Sequence, residues 1–377
     1  MRNHEITIAA YYFPNFHVDP RNEGWHGRGW TEWELVRRGE PRFEGHVQPR
    51  VPLDGYLDEA DPEVMGGKLA LAAEYGVDAF LFDWYWYDGR PYLQRPLEAA
   101  FLPNAATSDV KFALMWANHH WSNLHPWKAA TPVTQLASGF VDRAQFEAAT
   151  GYIVDTYFGH SAYLRIDGRP YLSIYELDTL VEGLGGVAEA RDALDGLRVR
   201  AAAAGFPEIH LNAIARDQQV IPDDGVPLDG PALVNQLGFD SVTSYIWVHH
   251  HAMPTLQTPY AEIAAQAAAG WQSLTTQYDK PYYPNVTVGW DPSPRTVQSD
   301  RYNPELGYPH TNTISAPTPE HFGRALEQVR AFADAGKLPL VTINAWNEWT
   351  EGSYLEPDTR YRYGHLEQIR RVFGRTS

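Results

Sequence analysis

The stretch Ile6-Thr7-Ile8-Ala9-Ala10-Tyr11-Tyr12-Phe13-Pro14-Asn15-Phe16-His17 decides between two folds. Its first half is an apolar and aromatic run, the pattern of a strand buried on both faces of a parallel sheet. In an open doubly wound sheet the first strand usually runs into a Gly-rich phosphate-binding turn. Here it runs into Tyr12-Phe13-Pro14-Asn15-Phe16-His17, which contains no glycine. That counts against a nucleotide-binding sheet and for a closed barrel.

Working outward, the same kind of run recurs. Strands are predicted over 6–13, 77–85, 110–116, 171–175, 209–215, 241–247, 282–290 and 338–345. Helical patterns separate them, over 61–75, 93–101, 142–157, 187–204, 230–236, 260–278, 318–335 and 364–373. The first of these helices opens on Asp61-Pro62-Glu63, with Asp as N-cap and Pro in the first helical position, and stops at Gly76. Eight strands, each followed by helix, make an α/β (β/α)8 TIM barrel. No Pro/Gly/Ser linker interrupts the chain, so residues 1–377 are read as a single catalytic domain. Long loops, above all 14–58, extend from the C-terminal face of the strands.

Composition narrows the partners. A net charge of −17 repels nucleic acid and anionic lipid. With no Cys there is no disulfide, thiolate nucleophile or Cys-ligated metal. The residues Met1-Arg2-Asn3-His4-Glu5 lead straight into a strand pattern without a secretory signal, and no run approaches a membrane span. The chain as given is therefore expected to be soluble and cytoplasmic, although a trimmed signal leaves the same sequence. Its 13 Trp and 22 Tyr suit either an aromatic core or a cleft on which sugar rings stack.

Active sites of such barrels lie at the C-terminal strand ends. Those ends carry Tyr12 and His17; Asp83, Trp84, Tyr85 and Trp86; Trp116, Asn118, His119, His120 and Trp121; Tyr175 and Glu176; Arg216; Tyr245 and Trp247; Trp290 and Asp291; and Trp346, Asn347, Glu348, Trp349 and Glu351. Aromatic platforms beside carboxylates and amides form a carbohydrate site. The loop Gly24–Trp33 adds Trp30 and Glu32, with Glu32 bonding either substrate or loop backbone. His249-His250-His251 cannot all face one ion from a strand, so no metal and no cofactor is expected. The oligomeric state is not legible.

Glu348 and Glu351 sit three residues apart in Trp346-Asn347-Glu348-Trp349-Thr350-Glu351-Gly352. If the segment turns helically they are neighbours, and proximity raises one pKa toward that of a working acid. Glycosidases need such a pair. The alternative is one surface Glu and one structural Glu. Two acids on one short loop also cannot easily flank a sugar ring, so a third acid (Asp83, Glu176 or Asp291) or unusual chemistry is required.

Several motifs together resemble the WbsX-like proteins. They are Tyr11–His17, Gly29-Trp30-Thr31-Glu32-Trp33, Pro52-Leu53-Asp54-Gly55-Tyr56, Asp61-Pro62-Glu63-Val64-Met65, Trp116-Ala117-Asn118-His119, Asp167-Gly168-Arg169-Pro170, and Trp346–Gly352 with Tyr354-Leu355-Glu356-Pro357. That group is related to glycoside hydrolase family 99, the endo-α-mannosidases and endo-α-mannanases. The resemblance implies a retaining, metal-independent barrel enzyme. Glu351 would be general acid and then base, and Glu348 would deprotonate the substrate 2-hydroxyl, giving a 1,2-anhydro sugar. The nucleophile then comes from the substrate. Mannose specificity does not carry over, because WbsX-like proteins accompany polysaccharide-building genes and were once called glycosyltransferases. A hydrolase of poly- or oligosaccharides is the leading reading. A glycosyltransferase or transglycosylase of polysaccharide assembly and a non-catalytic sugar-binding barrel are the alternatives.

Overall fold

The computed structural model describes residues 6–220 and 228–374. The first strand, Thr7–Tyr12, pairs in parallel with the second, Ala79–Tyr87, and on its other side with the eighth, Leu340–Asn344. From the second strand the order continues through Lys111–Trp116, Arg169–Ile174, His210–Ile214 and Ser241–Thr243.

The seventh strand completes the ring in two pieces. Tyr282–Tyr283 pairs with the sixth strand and Asn285–Thr287 with the eighth. Pro284 separates them. Proline has no N–H for the ladder, but its carbonyl accepts from the Thr342 amide at 3.0 Å. The single run expected over 282–290 is thus two short segments that hand the sheet from one neighbour to the other.

Helices follow the strands in the predicted order. Pro62–Tyr75 is capped by the Asp61 side chain on the Glu63 amide and ends at Gly76, whose φ of 83° is left-handed. Tyr260–Tyr278 and Gly364–Phe373 have the expected bounds. The helix expected over 93–101 is a π-helical turn, Pro96–Phe101, that runs into Leu102–Asn104. Among the described residues three α-helices lie where none was predicted: Pro20–His26, Trp33–Arg38 and Leu177–Leu184.

All nine residues of Ala79–Tyr87 are buried, because one face of the strand fills the barrel and the other lies under helices. The two-residue period then sorts its side chains. Asp83 and Tyr85 point inward, to the mouth of the barrel. Trp84 and Trp86 point outward and pack on Tyr152 of the helix Arg143–Ile153. Nearly all the buried apolar side chains form one connected cluster. Among the described residues no helix is long and apolar enough to cross a membrane. The first five residues, on which the reading of the N-terminus rests, lie outside the described ones.

Candidate active site

After Asn344 the chain forms a tight hairpin. Asn347–Glu348 pairs with Ser353–Tyr354, and a 3₁₀ turn, Trp349–Glu351, joins them. A 3₁₀ turn aligns side chains three residues apart, so Glu348 and Glu351 open into the same cavity. Gly352 ends the turn at φ 65°. A Cβ there would lie 2.9 Å from the Asp291 Cβ and 3.0 Å from the Arg50 Cζ, so a side chain fits neither the backbone nor the space.

The hairpin is clamped from two sides. On one, Glu356 accepts from the indole N–H groups of Trp346 (3.0 Å) and Trp349 (2.6 Å). Asn347 accepts from the Phe13 amide and donates to the Phe13 carbonyl, both at 2.8 Å, and donates to Glu59 at 2.7 Å. Lys68 bridges Glu59 and Glu356 at 2.5 and 2.7 Å. On the other side, Arg50 donates to the Gly352 carbonyl at 2.9 Å and the Asp291 amide to the Glu351 carbonyl at 2.5 Å.

The cavity measures about 570 Å³, open mouth included. Tyr85, Trp121, His125, Tyr175, Tyr245 and Tyr308 form its aromatic walls, and Asp83, Arg295, Glu348 and Glu351 are charged or acidic groups among them. Arg295 organises the acids. It holds Glu32 through Nε (2.9 Å) and Nη2 (2.8 Å), Glu351 Oε1 through Nη1 (2.5 Å), and Glu348 Oε2 through Nη2 at 3.5 Å. Glu32 is wholly buried and also accepts from Thr350 and Asn15, both at 2.5 Å. Tyr308 donates to Glu351 Oε1 at 2.9 Å and Tyr245 to Glu348 Oε1 at 3.2 Å. Both donors to Glu351 converge on Oε1, which leaves Oε2 to the cavity.

One guanidinium does not neutralise three carboxylates. Burial would raise Glu32, but the Arg295 charge and the Thr350 hydroxyl hold it below the ordinary carboxylate range. Burial and then the neighbouring Glu351 drive Glu348 well above that range, against the pull of Arg295. Burial also raises Glu351. Burial and mutual repulsion thus both push the Glu348–Glu351 pair toward its protonated form. Burial lowers His125 to about 3, so its ring is neutral. Three buried polar atoms of cavity-lining residues have no partner among the described residues: Asp83 Oδ1, Trp121 Nε1 and His125 Nδ1. Buried polar groups left unpaired are costly, so a hydrogen-bonding ligand is the natural complement.

Of the residues singled out in the sequence, Asp83, Tyr85, His119, His120, Trp121, Tyr175, Tyr245, Glu348 and Glu351 line this cavity. The others are not brought to it, and the expectation of one aromatic platform per strand end is corrected for a common reason. Tyr12, Trp84, Trp86 and Trp116 occupy outward positions of their strands. Tyr12 packs on Phe82 and beside Lys68, and Trp116 on Phe146. Trp247, Trp290, Trp346 and Trp349 spend their indole N–H groups on Asn285, Thr311 and Glu356. Asn118 clasps the Glu176 backbone through both ends of its amide, and Glu176 pairs with Arg216 at 2.7 Å. Asn347 and Glu32 support the acids from behind. Trp30 stacks on His26, and both ring nitrogens of buried His17 lack a partner. His249, His250 and His251 diverge: His249 meets Tyr175, while His250 meets Ser244 and Asp217. Arg295 and Tyr308 were missed. They lie in the loops beyond the seventh strand, where no periodic pattern marks them. The signal for them was the acid cluster itself, which calls for a buried cation.

The (β/α)8 barrel with its acid-lined mouth has a glycoside-hydrolase-like fold. A solved structure described as a glycoside hydrolase-like protein superposes with a TM-score of 0.65 at 14% identity, covering 100% of this chain and 96% of that one. The family 99 endo-α-mannosidase from Bacteroides thetaiotaomicron superposes with a TM-score of 0.56 at 16% identity, covering 97% and 95%. At such identities the likeness is one of fold. The chain belongs to the family Glycosyltransferase WbsX, whose pattern it matches over residues 8–369. It is 31% identical over 386 residues to the uncharacterized protein WxcX of Xanthomonas campestris pv. campestris (strain B100), covering 98% of this chain and 50% of that protein. The chain thus spans about half the length of that relative.

Proposed function

We propose that this single barrel is a glycan-active enzyme that breaks a glycosidic bond with retention, using Glu351 as acid and base and Glu348 as the base for the sugar's 2-hydroxyl. One observation carries the reading. Two carboxyl groups from one turn, both pushed toward the protonated form by burial, open together into a cavity walled by aromatic rings. In the first step Glu351 protonates the leaving glycosidic oxygen while Glu348 takes the 2-hydroxyl proton. The 2-oxygen bonds to C1 as the C1–leaving-group bond breaks, giving a 1,2-anhydro sugar. In the second step Glu351 deprotonates water, which adds to C1, and the 2-oxygen recovers its proton from Glu348. Neither Glu has to reach the far face of the ring, so their placement on one hairpin suits this route better than direct attack by a carboxylate.

Trp121 and the tyrosines supply faces on which sugar C–H groups stack. Asp83, Trp121 and His125 offer the unpaired polar atoms for hydroxyls. Replacing Glu351 with Gln is expected to lower turnover of a cleavable glycan by about 10²–10⁴-fold while leaving the unfolding transition in place. Undiminished turnover would sink the assignment.

The family's description favours a second reading, transfer to another sugar. If a sugar hydroxyl replaces water in the second step, the same residues perform transglycosylation. A nucleotide-sugar donor fits less well. Among the described residues the only Arg or Lys lining the cavity is Arg295, already committed to three carboxylates. Calorimetric titration with nucleotide sugars separates the readings: saturable binding in the cavity favours transfer, and its absence favours a glycan donor.

A further inference from the structure

A phenol carries one proton. The Tyr245 hydroxyl lies 3.0 Å from Asp83 Oδ2 and 3.2 Å from Glu348 Oε1. It donates to one of these oxygens and can only accept from the other. One of the two carboxyl groups is therefore protonated whenever both contacts exist.

The surroundings decide which. Glu348 has a second partner in Arg295, at 3.5 Å. Among the described residues Asp83 Oδ1 is buried without a partner, and Arg295 reaches Glu32, Glu348 and Glu351 but makes no ion pair with Asp83. With Asp83 only 3% exposed, a carboxylate there would be an uncompensated buried charge. The ionisable groups facing it are Tyr11, Tyr85, Tyr245, Glu348, Glu351 and Arg295. Burial and Glu351 raise Asp83, and the Tyr245 bond and the Arg295 charge offset them only in part.

We propose that Asp83 is a positioning residue, a neutral acid that donates through Oδ2 to the Tyr245 oxygen, so that Tyr245 donates to Glu348 and favours the carboxylate there. This rests on the roles proposed above for the two glutamates. It also answers a difficulty in them. Arg295 Nη1 (2.5 Å) and Tyr308 (2.9 Å) both stabilise the ionised form of Glu351, whereas the first step needs the proton on Glu351 and the charge on Glu348. A hydrogen-bond chain directed onto Glu348 opposes that bias. The free Oδ1 of Asp83 remains an acceptor for a sugar hydroxyl.

Infrared difference spectroscopy of the ligand-free chain at neutral pH tests this without a substrate. Wild type minus Asp83→Asn is expected to reveal one carbonyl band of a protonated carboxylic acid. That band should persist in Glu351→Gln, and in Tyr245→Phe it should move to higher frequency, because its hydrogen-bond acceptor is gone. Loss of an ionised-carboxylate band in Asp83→Asn, or a protonated-acid band unmoved by Tyr245→Phe, overturns the proposal. Failure of the glutamate roles shows separately, as undiminished turnover by Glu351→Gln. On any glycan that the wild type turns over, Tyr245→Phe should move the acidic limb of the pH–rate profile upward, since Glu348 loses a donor. A uniform loss at every pH would mark a merely structural role and contradict the proposal.

Discussion

Replacing Arg295 with Met removes the one cation on which the site's acids converge. Its guanidinium is buried and meets Glu32 at 2.8 Å, Glu351 at 2.5 Å and Glu348 at 3.5 Å. The pair Glu348 and Glu351 can relieve the loss by holding protons. Glu32 is the costly group, because it is fully buried and its value is depressed by Arg295 against burial. Breaking one side of a buried pair costs about 3–5 kcal/mol, mostly as the uncompensated partner. Arg295→Met should therefore lower the unfolding free energy by about that much at pH ~7, measured by urea titration of Trp fluorescence. Adding Glu32→Gln should recover a large part of it. In the wild type the depressed Glu32 value contributes stability that is present above the ordinary carboxylate range and lost as pH falls. Without Arg295 burial outweighs the Thr350 hydrogen bond and the value rises, so Glu32 binds a proton on folding and the deficit shrinks as pH falls toward ~4. A deficit below about 1 kcal/mol, no recovery in the double variant, or a deficit that grows in acid would refute the reasoning.

Gly352→Ala combines a left-handed φ of 65° with a Cβ 2.9 Å from Asp291, and should cost about 1–3 kcal/mol while displacing Glu351 and reducing turnover; thermal unfolding and kcat check both. Asp291 is held well below the carboxylate range: burial opposes this, but the His46 bond and the Arg50 charge prevail. Asp291→Asn should thus cost about 2–4 kcal/mol at neutral pH, and the cost should fade below pH ~4, because that contribution is present above the unfolded value and lost as pH falls. Urea midpoints at the two pH values decide it.

The barrel was legible because its signals are repetitive. Buried parallel strands read as apolar runs, and the Asp61-Pro62 start and Gly76 stop mark a helix as they mark it in space. The helix Pro20–His26 opens with the same Asp-Pro signature, but seven residues are too few to display a helical period. Pro284 was the available warning that the seventh strand is split. At the site, the inventory of strand ends treated every aromatic as a platform. In a strand buried on both faces, composition does not tell inward from outward, so Trp84, Trp86 and Trp116 looked like Asp83 and Tyr85. Register separates them, and register is set by partners elsewhere in the chain. Arg295 and Tyr308 were invisible for a related reason. Their place beside Glu351 is fixed by loop packing, not by any local pattern.

The central claim is that Glu348 and Glu351 act on opposite ends of one sugar: its 2-hydroxyl and its glycosidic oxygen. A crystal structure of the Glu351→Gln variant with an uncleaved oligosaccharide tests it most directly. The account predicts a ring held against Trp121, with its 2-hydroxyl within hydrogen-bond distance of Glu348 and its glycosidic oxygen beside residue 351. A glycan bound outside this cavity, or one whose 2-hydroxyl lies away from Glu348, would contradict it.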